Sequence, residues 1–209
     1  VLFFLNDDVE FGPGLLKHHL EAHRTRPGHG VVGNTRWHPD VIDTPLMHWI
    51  AHTVSFYYLI GDRMDIGWEY THTLNFSVHR RWFDEDPEGG FCEAFPDPAF
   101  EDTEWALRMT KRGLKTAFAP EAVLYHIHSY TAERYWEKAA MQGKSARLLI
   151  ERHPEVRARI LGTDRQGVNL VLEGIRDRIA GLFLDRNSPR YWEFRANAEF
   201  RTYAAPFRT

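Results

Sequence analysis

Residues 1 to 8, Val-Leu-Phe-Phe-Leu-Asn-Asp-Asp, limit more than any other stretch what this chain can become. Five apolar residues in an unbroken run show no polar alternation and are too few for an amphipathic helix. They suit a strand covered on both faces, as in a parallel α/β sheet. Because the run ends on Asn6, Asp7 and Asp8, it brings carboxylates to the carboxyl edge of the sheet, where such folds hold ligands. The next segment continues the pattern. Gly12-Pro13-Gly14 breaks the backbone, Leu15, Leu16, His19, Leu20 and His23 recur at helical spacing, and Arg26-Pro27-Gly28 ends the helix.

Gly30-Val31-Val32-Gly33 reads as a short strand, residues 45–60 as a helix and 61–70 as loop. Residues 71–79 alternate Leu74, Phe76 and Val78 with Thr73, Asn75 and Ser77, which predicts a strand with two distinct faces. The stretch 84–100 is rich in Gly, Pro and acids, and its length favours a lid-like or functional loop. Residues 102–111 have acids at the start, Lys111 and Arg112 at the end and Gly113 as terminator, the signature of a short helix. Two short strands, 115–119 and 122–126, flank Pro120. Long helical periodicity follows over 131–152, with further helices expected at 154–161 and 168–184. The aromatic and arginine-rich tail beyond them, with Trp192, Phe194, Phe200, Tyr203 and Phe207, has no readable periodicity and suits a docking tail.

Composition excludes several functions. A net charge of −3 offers no basic field for nucleic acid. No apolar stretch reaches the roughly 18 residues of a membrane span, and Val1 to Leu5 lacks the basic flank and length of a signal peptide. The single cysteine, Cys92, cannot form an internal disulfide and fits a reducing, cytoplasmic compartment.

Three constellations can carry chemistry. Asn6, Asp7 and Asp8 can hold a hard divalent cation that bridges a diphosphate, or can simply make a turn. Glu101-Asp102 opens a helix, where acids are favoured by the dipole and where one of them can also serve as a general base. His126 and His128 project from one face if their strand continues, and a shell mixing carboxylate with imidazole suits Mn-like ions better than Ca. Asn75 and Ser77 share a strand face and can meet sugar hydroxyls, and Trp105 offers a ring for stacking. Both also have an ordinary structural reading.

Taken in order, these segments resemble the catalytic domain of the family-2 glycosyltransferases. The matching residues are Phe4-Leu5-Asn6-Asp7-Asp8-Val9 as the DXD-type segment, Gly30-Val31-Val32-Gly33, and Thr73 through Arg80 with Phe83. They continue with Gly90-Phe91, Glu93 and Phe95, then Glu101 through Arg108 with Arg112-Gly113-Leu114, and Pro120 through His126. The resemblance covers about residues 1–129. It implies an α/β fold of the nucleotide-diphospho-sugar, or GT-A, type: a Rossmann-like mixed sheet flanked by helices over 1–130, with a helical extension over 131–209. It implies an inverting transferase that moves a sugar from a nucleotide-diphospho-sugar to a hydroxyl of a glycan, polysaccharide or lipid-linked acceptor, assisted by Mn2+ or Mg2+. Asp102 then corresponds to the general base and Glu101 to an acceptor contact beside it, joined by Asn75, Ser77 and Trp105. Asp8 is the main metal ligand, with Asn6 and His126 completing the shell and Asp7 beside Asp8 at the diphosphate.

Asn6 departs from the family pattern, an amide where many relatives carry the first aspartate. The βα units that bind nucleobase and ribose in the family are absent, so the chain is expected to be part of a longer protein. Extensions such as 131–209 shape acceptor access in relatives or reach partners and membrane surfaces, which admits peripheral association with the inner face of the membrane. Two other readings stay open: a metal-dependent hydrolase built on Asp7, Asp8, His126 and His128, and a non-catalytic carbohydrate-binding module in which Asn6 marks lost metal affinity.

Overall fold

The structure, a computed structural model, describes residues 1–54, 60, 64–161 and 184–204. The chain divides into two compact units, Val1–Cys92 with Asp102–Ser129, and Glu93–Glu101 with Tyr130–Thr209.

In the first unit the elements run β1 (Leu2–Leu5), β2 (Val9–Phe11), α1 (Leu15–Thr25), β3 (Gly30–Trp37), α2 (Pro45–Trp49), β4 (Asp65–Ile66), β5 (Asn75–Val78), α3 (Arg81–Asp84), α4 (Glu101–Lys111) and β6 (Thr116–His126). They form a mixed α/β fold. The sheet order is β1-β5-β3-β6-β2, with β4 beside β6. Strand β5 is antiparallel to both β1 and β3, while β3 and β6 are parallel, so β1, β3 and β6 all end at one edge of the sheet. The apolar run of β1 forms a strand as expected, but among the described residues it pairs with β5 alone and leaves Leu5 exposed. Apolar continuity signals burial without saying how many strands supply it.

Adjacent residues of β3 point to opposite faces, and the two cores follow. Val32, Phe76 and Val78 pack with Trp105 and Met109 of α4. Val31, Ala119 and Leu124 pack with Leu15 of α1 on the other side. Helix α1 turns the side carrying Leu15, His19 and His23 to the sheet and leaves Leu16 and Leu20 exposed, which spacing alone did not separate. Strand β5 is buried on both faces, so its alternation of apolar and polar residues marks two different interiors, not an inside and an outside.

Pro120 does not divide two strands. Strand β6 runs through it, and its pairing with β3 jumps from Gly33↔Ala119 to Asn34↔Val123. Proline has no N–H for the ladder, and the bulge takes up the three residues that would have been mispaired. The displaced carbonyls are used: Asn34 Nδ2 donates to Pro120 O at 3.2 Å and Asn75 Nδ2 to Ala122 O at 3.0 Å. Helix α4 ends where expected, at Gly113 with φ 100°, and the Leu114 N–H bonds back to Met109 O at 2.9 Å.

The expected helix over 45–60 is α2 followed by a π-helical turn over Ile50–Val54, and 55–59 lie outside the described residues. Of the expected loop 61–70, the described part contains β4 and a 3-10 turn, Trp68–Tyr70. In the second unit, α5 (Ala132–Arg152) starts at Thr131, whose hydroxyl accepts the Arg134 N–H at 3.3 Å. A 3-10 turn, Pro154–Val156, leads into α6 (Arg157–Ile160). Apart from Leu184, the helix expected over 168–184 lies outside the described residues. The tail without readable periodicity is helical, α7 (Pro189–Ala204), and packs along α5 where Gly143 lets the backbone of Phe200 approach. Ala146, Ile150, Leu161 and Ala204 form its core. No helix among the described residues is long and apolar enough to cross a membrane.

Candidate functional site

The acidic turn after β1 carries the chain to β2, and these strands stand at opposite ends of the sheet order. Asn6, Asp7 and Asp8 therefore cross the carboxyl edge of the parallel strands. Strand β2 pairs Val9 with His126, and the Ile127 N–H donates to Asp8 O at 2.8 Å, which fixes the turn against the end of β6. Asp8 Oδ1 then lies 3.2 Å from His126 Nε2, and Oδ2 lies 3.4 Å from His128 Nδ1. The two imidazoles stack at 5.6 Å, on one face of the extended chain, and Trp37 packs against His126. Asn6 and Asp7 are exposed on the same turn.

Among the described residues no group of three or more His, Cys, Asp or Glu side chains is arranged as the ligand set of a metal. What exists is one carboxylate with an imidazole against each oxygen. Asp8 Oδ1 and His126 Nε2, 3.2 Å apart, are close enough that both would reach one small divalent ion, whose other ligands would have to come from elsewhere. One carboxylate plus substrate phosphates is a usual donor set for Mg2+. Asp8 and His126 accordingly fit the expected ion as a partial shell.

The second carboxylate reaches the same edge by another route. Leu5 at the end of β1 pairs with Asn75 at the start of β5, so Thr73, two residues earlier, also lies there. Asp102 Oδ2 accepts the Thr73 N–H at 3.0 Å and its hydroxyl at 3.3 Å, while Oδ1 accepts the Thr103 N–H at 2.6 Å and hydroxyl at 3.2 Å. His72 Nδ1 is 3.8 Å from Oδ2. An ionised carboxylate has about four lone-pair directions, and here each has a donor. The backbone donors are fixed, whereas each threonine hydroxyl can turn away and leave a lone pair for an incoming proton. Glu101, the first residue of α4, falls within the bounds of the second unit.

Asn75, Ser77 and Trp105 have a different place from the one expected. They are 0%, 1% and 0% exposed, so no sugar can reach them. Trp105 stacks on Phe83 at 4.4 Å in the core, and Asn75 and Ser77 spend their polar atoms on His19, His23 and Ala122 O. The alternation that marked them as paired polar groups is real, but it serves a buried network.

Sequence reading also passed over the clamp behind the site. Arg108 of α4 donates from Nη1 to Asp86 at 2.6 Å, from Nη2 to Gly90 O at 2.6 Å and from Nε to Glu104 at 3.0 Å. Burial works against the charge on Asp86, but Arg108 and the N–H groups of Glu88 and Gly90 outweigh it and hold the carboxyl below the usual range. Burial likewise opposes the Arg108 charge, and Asp86 and Glu104 overcome it. The irregular stretch 86–90 is thereby fastened to the helix that carries Asp102. The spacing of Glu104 and Arg108, i and i+4, was the available signal. Compared with protein-family models, curated proteins and solved structures, the chain matches none.

Proposed function

We propose that this chain carries the diphosphate and acceptor side of an inverting, metal-assisted glycosyltransferase of the GT-A type. The reading is supported by one observation above all: two carboxylates distant in sequence, Asp8 and Asp102, both lie along the carboxyl edge of the parallel strands. The first is paired with imidazole and the second held by hydroxyl and amide donors. Inverting transfer needs one site for each kind of charge that develops.

In this reading Asp8 and His126 would hold the divalent ion, which when bound would supply charge to neutralise the departing diphosphate. The acceptor hydroxyl attacks the anomeric carbon of a nucleotide-linked sugar, the bond to the diphosphate oxygen breaks with inversion, and Asp102 takes the hydroxyl proton after a threonine hydroxyl turns aside. The Arg108 clamp keeps the 86–90 loop and the start of α4 in register. Asn75, Ser77 and Trp105 act from the interior and touch no sugar.

The test is titration of the chain with Mn2+ alone and with Mn2+ plus inorganic pyrophosphate, which needs no nucleoside pocket. Pyrophosphate is expected to tighten Mn2+ binding tenfold or more, and Asp8→Asn to abolish that gain. Mn2+ bound tightly by the two histidines and indifferent to pyrophosphate supports the hydrolase. Absence of binding supports the non-catalytic module. Either result overturns the transferase.

A further inference from the structure

Four buried side chains between α1 and β5 form a hydrogen-bond chain whose direction can be worked out. Asn75 Nδ2 donates to Ala122 O at 3.0 Å, so the amide is oriented and its Oδ1 is an acceptor. His19 Nε2 lies 2.8 Å from that oxygen and therefore carries a hydrogen. A neutral His19 then has a bare Nδ1, and Ser77 Oγ at 2.8 Å must donate to it. With its only hydrogen committed, Ser77 Oγ is an acceptor for His23 Nε2 at 2.9 Å. His23 thus carries its hydrogen on Nε2 and leaves Nδ1 bare, and that atom is buried with no hydrogen-bond partner among the described residues.

The connectivity of serine, histidine and asparagine matches a nucleophile, its base and an orienting group. Catalysis is ruled out by access. Ser77, His19 and His23 are 1%, 2% and 6% exposed, and His23 occupies the oxygen that would attack.

We propose that this chain is a latch that holds α1 on β5 while both imidazoles are neutral and releases it when His23 takes a proton on Nδ1. A proton there creates a buried cationic donor with no acceptor among the described residues. The titratable and charged groups acting on His23 oppose that proton. They are His79 at the end of β5, 5.0 Å away ring to ring, His19 on α1 and His29 in the turn after α1. His18 acts likewise on His19. Burial first and these neighbours second push His23 down to about 4 from an ordinary 6.5. Burial lowers His19 as well, partly offset by its bond to Asn75.

Release travels along the chain. Asn75 braces the Ala122 bulge of β6, the strand that ends at His126, and lies two residues from Thr73, which holds Asp102. Acid that frees α1 therefore loosens both strands that carry the candidate site. The inference concerns the fold and stands whether or not the chain transfers sugar.

The sign follows from the depressed value. The unfolded or detached His23 binds a proton more readily than the latched one, so the latch is at full strength above about 6.5 and weakens as pH falls toward 4. Linkage with these two values gives an increase in the opening equilibrium of α1 of about 30-fold between pH 8 and pH 5. Amide hydrogen exchange over residues 19–25, corrected for intrinsic rates, reads this directly. Wild-type protection is expected to fall about 30-fold, and His23→Gln, whose amide still donates to Ser77 but cannot titrate, to lose only a few-fold. A wild-type change under threefold, or an equal loss in His23→Gln, overturns the latch. Should that variant not fold, 15N spectra of the wild-type histidines decide: both His19 and His23 are expected as Nε2–H tautomers at pH 7.5, and an Nδ1–H form of either refutes the assignment.

Discussion

Replacing Arg108 with methionine removes the guanidinium and keeps much of its aliphatic volume. Three charge-assisted contacts go, to Asp86 at 2.6 Å, Gly90 O at 2.6 Å and Glu104 at 3.0 Å. The side chains of Asp86 and Glu104 are both fully buried, so each loses the cation that offsets the burial of its charge. Glu88, half exposed at 3.6 Å, contributes little. Breaking a buried pair from one side costs about 3–5 kcal/mol, most of it the desolvation of the abandoned partner. We expect a loss of about 4 kcal/mol in urea denaturation at pH 7, with the slope unchanged.

The pH dependence carries the sign of the cause. In the native chain Asp86 lies below its ordinary 3.8, so its contribution is complete above 3.8 and disappears as pH falls through the lower folded value. Without Arg108 only the N–H groups of Glu88 and Gly90 still offset the burial of Asp86, so its carboxyl moves up from its depressed native position and the variant regains stability as it takes a proton. The gap between native and variant should be widest at pH 7 and narrow toward pH 4.5, while the histidine latch affects both chains alike. Adding Asp86→Asn and Glu104→Gln to the variant should recover at least half of the loss. A deficit below 1 kcal/mol, a gap independent of pH, or no recovery in the triple variant refutes the assignment of the energy to abandoned buried charge.

Three glycines separate steric from conformational cost. In Gly33→Ala the new methyl would lie 2.3 Å from Asn75 Nδ2 and 2.6 Å from the backbone oxygen of Ala122, so urea melts should show a loss of about 2–4 kcal/mol through overpacking and the Asn75 bond. Gly113→Ala meets nothing within 4 Å among the described residues and strains only φ 100°, so its loss by the same assay should be smaller, about 1–2 kcal/mol. Gly143→Ala gains about 1 kcal/mol of helix propensity, yet its methyl would stand 2.4 Å from Phe200 O. We expect net destabilisation of the α5–α7 pair and a lower Tm by calorimetry, and a higher Tm would show that the helices do not approach closely at this point.

Much of the architecture was legible because it rests on local physics. The apolar run of β1, the Gly-terminated α4, the Thr-capped α5 and the irregular acidic stretch before α4 each follow from backbone preference and period. The acidic turn and His126 could be marked as chemically competent from residue type and the strand they end. Local signals failed where the deciding partner was distant. Pro120 looked like a boundary because only pairing with β3 shows a bulge carried through it. Leu16 and Leu20 looked as suited to a core as Leu15, but Asn75 and Ser77 drew the histidine side of α1 inward.

Residue order by itself therefore determined which side chains are chemically able to act and where most strands and helices lie, since torsional preference and hydrophobic spacing act within a few residues. Only the tertiary structure decided the use of each group. Hydrogen bonds and ion pairs depend on atoms brought within about 3 Å, and chain folding set Asp8 against His126, Thr73 against Asp102 and Arg108 against Asp86. The same fold took Asn75, Ser77 and Trp105 away from any ligand and closed them into the interior.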